Sequence, residues 1–295
     1  MLEILSHLLN VVVPVAICVG IGFGITRAGV NFDTKMLTPI IMTVAMPALI
    51  VSHLAKTPIS LGDVSQMMLA ALLAVILFGA LAGVLLRVVH LPVRTYLGAF
   101  MFANVGNMGL PIVGFAVGQN NLALAFGFWI VVVVGLLTIG TWLPQRKITF
   151  KKLIASPLIY AVLIGLGLLA TGTQLPDVLD APMTLLGGMA IPLMLLSLGH
   201  AIAELKPGKL PKGFALALAH IAIVAIVAAG VVAVLNLEGT VRQVFILEAL
   251  MPVSVFTYLF AQQYSPDDVP EVASLILFST LLTIVVVPLA LAYWV

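Results

Sequence analysis

Long stretches without a charged residue alternate along the chain with short polar segments. A helix needs about 20 mostly apolar residues to cross about 30 Å of hydrocarbon, and these stretches reach that length. One of them is long enough for two helices, and it divides at the polar turn formed by Gly118, Gln119, Asn120 and Asn121. A further apolar stretch, 243–263, is interrupted by Glu248. The pattern predicts ten transmembrane spans. The charge-free stretches are 4–26, 36–55, 65–86, 95–145, 153–176, 181–203, 213–237 and 272–295.

Composition points the same way. Of the 295 residues 62% are hydrophobic and 8% are charged, whereas a soluble domain carries roughly 25% charged residues. The composition therefore argues against a water-soluble enzyme and against a nucleic-acid-binding domain, and the net charge of +2 indicates no polyanionic partner. The single cysteine, Cys18, excludes an intrachain disulfide. The first stretch is predicted to be a retained helix and not a signal peptide, because no Lys or Arg precedes it.

The basic residues predict an orientation. The odd-numbered loops carry 11 Lys and Arg, and the even-numbered loops carry two. Since basic residues stay on the cytoplasmic side, the odd loops are predicted to be cytoplasmic and both termini to lie outside. Loop nine is acidic, with Asp267, Asp268 and Glu271, but acidic residues count little in this rule. A compact bundle of this kind is predicted to be a multi-pass protein of the cell inner (plasma) membrane.

The chain divides into two halves of five spans each. We predict a first five-helix repeat at 1–145, a cytoplasmic linker at 146–152 and a second five-helix repeat at 153–295. Because each half has an odd number of spans, the second half must enter the membrane in the opposite sense. The predicted fold class is an all-α integral membrane protein of two inverted repeats.

Proline motifs recur in the same order in both halves. Pro47 in span two and Pro192 in span seven are each followed by a serine five residues later. Pro111 in span four and Pro252 in span nine each follow a Leu or Met. Proline removes an amide donor from a helix, and paired interrupted helices in corresponding positions mark the binding site of many transporters. We therefore predict that these four prolines are hinge or crossing positions.

Polar residues crowd the proline of span four. Asn104 and Asn107 are three residues apart and share a helix face, and Gly109 allows close approach of another group. Amides in a membrane either bind a ligand or join helices to one another, and both interpretations remain open for these two.

Glu248 lies one turn before Pro252 and is the acid placed deepest in any predicted span. Acids inside membranes are rare and mark ion or substrate pathways. Glu248 is therefore a candidate for Na⁺ binding or for a proton relay; pairing with the asparagines, a structural hydrogen bond or an ion pair with Arg242 are the alternatives. No catalytic arrangement or metal-ligand spacing is recognised, so the sequence predicts neither an enzyme nor a resident cofactor.

At these residues the chain resembles the auxin efflux carrier family, which contains the PIN carriers of plants and bacterial malonate-carrier-like proteins. The resemblance extends over essentially the whole chain, and Asn104 is its most specific element. The matching elements are Met46-Pro47-Ala48-Leu49, Asn104 through Pro111, Met251-Pro252-Val253-Ser254-Val255, and Glu271-Val272-Ala273-Ser274 through Ser279-Thr280-Leu281-Leu282.

The resemblance implies a ten-helix fold in which spans four and nine are broken and cross at their prolines. Spans one, two, six and seven would form a scaffold, often dimeric, and the other spans a moving transport bundle. The substrate, a small carboxylate, would bind at the crossing. Bacterial relatives often carry an asparagine where this chain has Phe256; together with Tyr258, this favours a substrate with an apolar part. The implied substrate-binding residues are Asn104, Asn107, Gly109, Pro111, Pro252, Val253 and Ser254.

The leading hypothesis from the sequence is a secondary transporter of small organic anions, such as malonate, malate or an auxin-like acid, that works by alternating access. The alternative is a sodium-coupled symporter of the bile-acid-carrier type, with Glu248 and Asn104 as Na⁺ ligands. A homodimer through the scaffold helices is implied by the resemblance alone.

Overall fold

A computed structural model describes residues 2–30, 34–145 and 155–294. These residues form helices joined by short connections, and no β-strand occurs among them. The predicted linker at 146–152 lies outside the described residues. The all-α class predicted from the sequence is confirmed for this part of the chain.

The helices begin and end close to the predicted spans. Three π-helical turns interrupt them, at Ile41–Ala45, Val105–Gly109 and Leu136–Gly140. The α-helices are α1 (Leu2–Arg27), α2 (Thr34–Ile40), α3 (Met46–Lys56), α4 (Leu61–Val88), α5 (Val93–Met101), α6 (Leu110–Ala116), α7 (Leu122–Gly135), α8 (Thr141–Gln145), α9 (Pro157–Thr171), α10 (Asp177–Gly187), α11 (Ala190–Glu204), α12 (Leu210–Leu235), α13 (Gly239–Ala249), α14 (Phe256–Tyr264) and α15 (Val269–Tyr293).

Seven helical segments of the described chain are long and apolar enough to cross a membrane. Two shorter apolar helices, Val105–Ala116 and Pro157–Thr171, fall in predicted spans four and six. Predicted span nine is divided between α13 and α14, neither of which is long enough alone. The chain is therefore a multi-pass membrane protein, and the count of ten spans stays a prediction.

Helix α4 begins before the predicted charge-free stretch 65–86 and includes the charged residue Asp63. Ser60 is the N-cap, and its hydroxyl accepts a hydrogen bond from the amide of Asp63 at 3.1 Å. The Asp63 carboxylate accepts one in return from the amide of Ser60. This capping box satisfies two amides at the helix N-terminus, so α4 begins at Leu61, four residues before the predicted boundary at 65.

The helices pack in two groups. In the first group, α1 packs along α11, and α3 packs between α9 and α10. Gly22 lies against the backbone of Leu196, and Gly199 lies against the backbone of Val19, so that a Cβ at either glycine would overlap a carbonyl oxygen. Small residues at such contacts let two membrane helices approach closely. The reciprocal pair of glycines fixes the contact of α1 with α11.

The second group surrounds the interrupted helices. Here α12 packs on α15, and α4 packs on α5, α7 and α12. Helix α13 lies against α4 and α7, where the rings of Phe128 and Phe245 are 5.8 Å apart. The two groups meet where α1 contacts α6 and where α11 contacts the π-helical turn Val105–Gly109. The broken part of span four therefore lies at the boundary between the groups.

Candidate functional site

The two interrupted helices meet through a short piece of extended backbone. Helix α5 ends at Met101 and α13 ends at Ala249, and the residues that follow each of them leave the helical conformation. Ala103 and Val253 pair there as an isolated antiparallel bridge. The amide of Val253 also donates to the hydroxyl of Ser279 at 3.2 Å. We call the paired residues 102–104 and 252–254 the crossing.

Two backbone hydrogen bonds hold the crossing. The amide of Asn104 donates to the carbonyl of Pro252 at 2.7 Å, and the amide of Ser254 donates to the carbonyl of Phe102 at 3.2 Å. The bonds are related by a local twofold axis that makes Asn104 the counterpart of Ser254. Backbone groups freed by a broken helix must find partners inside a membrane, and the two breaks satisfy each other here.

The prolines do not occupy equivalent places. Pro252 lies in the crossing, whereas Pro111 is the second residue of α6, eight positions after Ala103. Pro47 is likewise the second residue of α3, and Pro192 lies in the first turn of α11. Proline is tolerated in a first turn because its missing amide would have no partner there. Of the predicted crossing prolines, the structure thus brings only Pro252 into the crossing.

The π-helical turn starts directly at the crossing. The carbonyl of Asn104 accepts hydrogen bonds from the amides of Met108 at 3.1 Å and Gly109 at 3.2 Å. The turn continues into α6 as one apolar helix, Val105–Ala116. Its leading amides have no acceptor within the helix, and the positive end of the helix dipole lies there.

A cavity of about 460 Å³ lies beside the crossing, between the two helix groups. Its polar groups include Asn104, Asn107 and Ser254. Most of its wall is apolar, and none of its lining residues is Lys, Arg, Asp, Glu or His. We call it the central cavity. Its larger apolar side chains are Met42, Met46, Met194, Trp129, Phe256 and Phe260.

Asn104 is the polar side chain of the cavity that most needs a ligand. It is only 4% exposed, and its amide nitrogen Nδ2 has no hydrogen-bond acceptor in the described protein. A buried donor without a partner costs about 1–3 kcal/mol. A ligand in the cavity that accepts a hydrogen bond would remove this cost.

The sequence did not single out Trp129 as a site residue. Gly106, in the π-helical turn, lies under the indole ring, and a Cβ at this glycine would be 2.9 Å from Nε1 of Trp129. Trp129 is buried and lines the cavity. An aromatic side chain deep in an apolar span gives no sequence signal of its own, because the same residue is common in helix packing.

Glu248 packs against the π-helical turn at Gly109. It is fully buried, and neither carboxylate oxygen has a hydrogen-bond partner in the described protein, so it makes no hydrogen bond to Asn104 or Asn107. A Cβ at Gly109 would overlap the Glu248 carboxylate. The structure therefore brings Glu248 and Gly109 together, and Glu248 is not among the residues that line the cavity.

A second buried acid lies at the start of α15. Glu271 pairs with Lys209 and Lys212, and it accepts a hydrogen bond of 2.8 Å from the Tyr96 hydroxyl. We call these four residues the clamp; they join α5, α12 and α15. The hydrogen bond to Glu271 raises the pKa of Lys209. The acidic loop nine thus lies against basic loop seven, which explains how an acidic loop fits the predicted cytoplasmic side.

Comparison with known protein families agrees with these features. Residues 142–291, just over half of the chain, match the model of the membrane transport protein family, to which the auxin efflux carriers belong. The chain therefore belongs to this family, as the resemblance implied, and it is a membrane transport protein. The matched region includes Glu248, Pro252 and the second half of the crossing. A search of curated proteins finds no match to the chain.

Proposed function

We propose that the chain is a secondary transporter of small organic anions that binds a substrate carboxylate at the crossing. The observation that carries this proposal is the unpaired amide of Asn104, which lies beside the leading amides of the helix Val105–Ala116 in a cavity of about 460 Å³. Helix N-termini attract carboxylates through their free amides and their dipole. The volume suits a small organic molecule.

The lining of the central cavity supports a substrate with one carboxylate and an apolar body. Helix amides and the Asn104 side chain offer donors at one place, where Asn107 and Ser254 add polar groups. Among the described residues, no lysine, arginine or histidine lines the cavity to balance a second carboxylate. Phe256 and Phe260 provide apolar contact instead. An auxin-like acid or a short monocarboxylate therefore fits this lining better than malonate or malate.

The arrangement of the helix groups supports a ten-span fold of two inverted repeats. Span one packs on span seven through α1 and α11, and span six packs on span two through α9 and α3. If a twofold axis relates the two halves, span one corresponds to span six and span two to span seven. The axis then converts the contact of spans one and seven into the contact of spans six and two. The antiparallel pair Ala103 and Val253, with one residue from each half, is consistent with the same twofold relation. The first group would be the scaffold and the second the transport bundle.

The two sides of the crossing support alternating access. The central cavity reaches Thr38, Thr141 and Ser156, which adjoin loops one and five on the predicted cytoplasmic side. Towards loop four, between α1, α6, α11 and α15, a cavity of about 70 Å³ is lined mostly by aliphatic side chains such as Ile112. In the predicted orientation, with both termini outside an inner membrane, this is an inward-facing arrangement. A movement between the groups would exchange the two sides, and a homodimer through the scaffold would hold one group still.

The experiment is a thermal-shift panel on the purified protein in detergent. Malonate, malate, succinate, pyruvate and indole acetate are each added as a Na⁺ or a K⁺ salt. A ligand that binds the folded state raises the unfolding temperature with its excess over Kd, so we expect a rise with the monocarboxylates that is reduced in Asn104→Ala. A rise of the unfolding temperature with Na⁺ in the absence of any carboxylate would favour the sodium symporter. An absence of any rise would contradict the proposal.

A further inference from the structure

Carboxylate binding at the crossing gives no role to Glu248. Its side chain is completely buried, and both of its oxygens lack a hydrogen-bond partner among the residues that the structure describes. Ionisable side chains inside membrane proteins are expensive and are commonly part of ion or proton pathways. A glutamate held without a partner therefore needs a functional account.

Glu248 is linked to the proposed substrate site through a single residue. Its carboxylate packs directly on Gly109, where no Cβ would fit. The amide of Gly109 in turn donates to the carbonyl of Asn104 at 3.2 Å. Gly109 therefore links the Glu248 carboxylate to the turn that begins at Asn104.

No cation forms an ion pair with Glu248 in the described protein. On the elements packed against α13, Lys212 and Glu271 pair with each other. On α13 itself, Arg242 donates to the carbonyl of Trp294 at 3.2 Å. His220 packs edge-on against Phe100, with ring centroids 5.6 Å apart. The titratable or charged side chains on α4, α6, α7, α12, α15 and α13 itself, besides Glu248, are Asp63, Arg87, Lys212, His220, Arg242, Glu271 and Tyr293.

The tight contact with Gly109 favours a proton over a metal cation as the species that Glu248 binds. A cation would need a shell of oxygen ligands and the space for it, while the backbone of Gly109 lies directly on the carboxylate. A proton needs no additional space, and it removes the charge that burial in an apolar region disfavours.

We propose that Glu248 binds the proton that accompanies the substrate, which makes the chain a proton–carboxylate symporter. The inference rests on the proposed function. Two negative charges in one low-dielectric site repel each other, so a substrate carboxylate at Asn104 favours the protonated form of Glu248. By reciprocity, a proton on Glu248 favours substrate binding to the same degree. One proton and one monocarboxylate cross together without net charge, and Glu248 returns its proton to water when the substrate leaves.

The test is the pH dependence of substrate affinity in the full-length protein. Pyruvate and indole acetate are the probes, and calorimetry gives Kd between about pH 6 and pH 8.5, where both are monoanions. For the wild type we expect Kd to rise with pH, approaching about tenfold per unit where free Glu248 loses its proton. Glu248→Gln should bind with a Kd that does not depend on pH. Glu271→Gln, the same chemical change in the clamp, should follow the wild type.

A second measurement uses the wild type alone and so does not depend on how a variant folds. Calorimetry in two buffers of different ionisation enthalpy counts the protons taken up on binding, and we expect uptake of up to one per substrate. Binding without proton uptake and without pH dependence would overturn the inference while leaving the proposed function intact. An unchanged pH dependence in Glu248→Gln would also overturn it. If the wild type binds neither probe, the proposed function fails, and this inference fails with it.

Discussion

Two glutamates are buried in this protein's described residues, Glu248 beside the crossing and Glu271 in the clamp, and they differ in their partners. Glu248 is 0% exposed and has no hydrogen-bond or ion-pair partner in the described protein, whereas Glu271 is 2% exposed and has three partners. Burial alone therefore does not decide what an acid does in this protein. The partners decide: a paired acid joins helices, and an unpaired acid beside a broken helix is available to bind something else.

The comparison separates stability from transport. The clamp joins three helices of one group and lies at an end of the bundle, away from the central cavity. The contact of Glu248 with Gly109 includes no hydrogen bond of the Glu248 carboxylate. Gly109 in turn is joined to Asn104 by one backbone hydrogen bond. We expect changes in the clamp to lower the unfolding temperature, and changes at the crossing to alter ligand binding first.

The largest effect on stability is expected for Glu271→Ala. This change leaves the Tyr96 hydroxyl without its acceptor and two lysines without their counterion. Breaking a buried pair costs about 3–5 kcal/mol, but Lys209 and Lys212 are 69% and 39% exposed, so solvent screening reduces the expected loss to about 2 kcal/mol. Thermal unfolding in detergent measures it. Glu248→Gln should lower the unfolding temperature less than Glu271→Ala, because it breaks no hydrogen bond or ion pair of the described protein; equal losses in the two variants would erase the distinction between the sites.

Gly109→Ala is expected to be the next most harmful change, and to act at the crossing. The added methyl group overlaps the Glu248 carboxylate, and overpacking costs about 1–3 kcal/mol. The double variant Gly109→Ala with Glu248→Ala should recover part of the loss, because it removes the opposing atoms. Gly167→Ala is the matched control, since nothing lies within 4 Å of a Cβ at that helical position. Equal effects at both glycines would argue against a tight contact with Glu248.

Asn104→Ala should change binding and not stability. Loss of one hydrogen bond to a charged ligand is expected to raise Kd about tenfold, or about 1.4 kcal/mol. The unfolding temperature without ligand should stay the same or rise, because the unpaired Nδ2 is gone. Titration of indole acetate into both proteins measures the difference, with Asn107→Ala as a neighbouring amide of the same cavity. Unaltered affinity in Asn104→Ala would remove this residue from the site.

Gly106→Ala is expected to have the smallest effect. Its methyl group would lie 2.9 Å from Nε1 of Trp129, so the indole, which lines the cavity, must shift. We expect Kd for indole acetate to rise a few-fold, about 0.5–1 kcal/mol, while pyruvate, being smaller, is affected less. The same titrations measure this ratio. An effect equal for both ligands would place Trp129 outside the space that the larger ligand uses.

The helices of this protein were largely predictable because hydropathy alone requires them. Apolar stretches near 20 residues predicted α1, α4 and α12 to within a few residues at their ends. The position of the break in span four was not predictable in the same way. The crossing in span four was predicted at Pro111. A proline in the first turn leaves its helix intact, however, and the helix is interrupted at 102–104 instead.

The candidate site was predicted in part for similar reasons. Asn104 and Glu248 stood out, because a polar residue in an apolar span is conspicuous in the sequence. The clamp did not, since Tyr96 and Glu271 are 175 positions apart and only the fold brings them together. Trp129 was missed because its apolar ring suits any membrane helix. The sequence reveals a polar residue that is unusual within its own apolar span. It does not reveal which residues of other spans contact that residue, because the fold determines those contacts.

The most direct test of substrate binding at the crossing is a crystal structure with a brominated aromatic monocarboxylate, whose bromine is located by anomalous scattering. We predict a bromine peak within the central cavity near Phe256 and Phe260, with the carboxylate within hydrogen-bonding distance of the Asn104 amide. A peak at the basic end of the bundle near Lys209, or a carboxylate turned away from Asn104, would contradict the account.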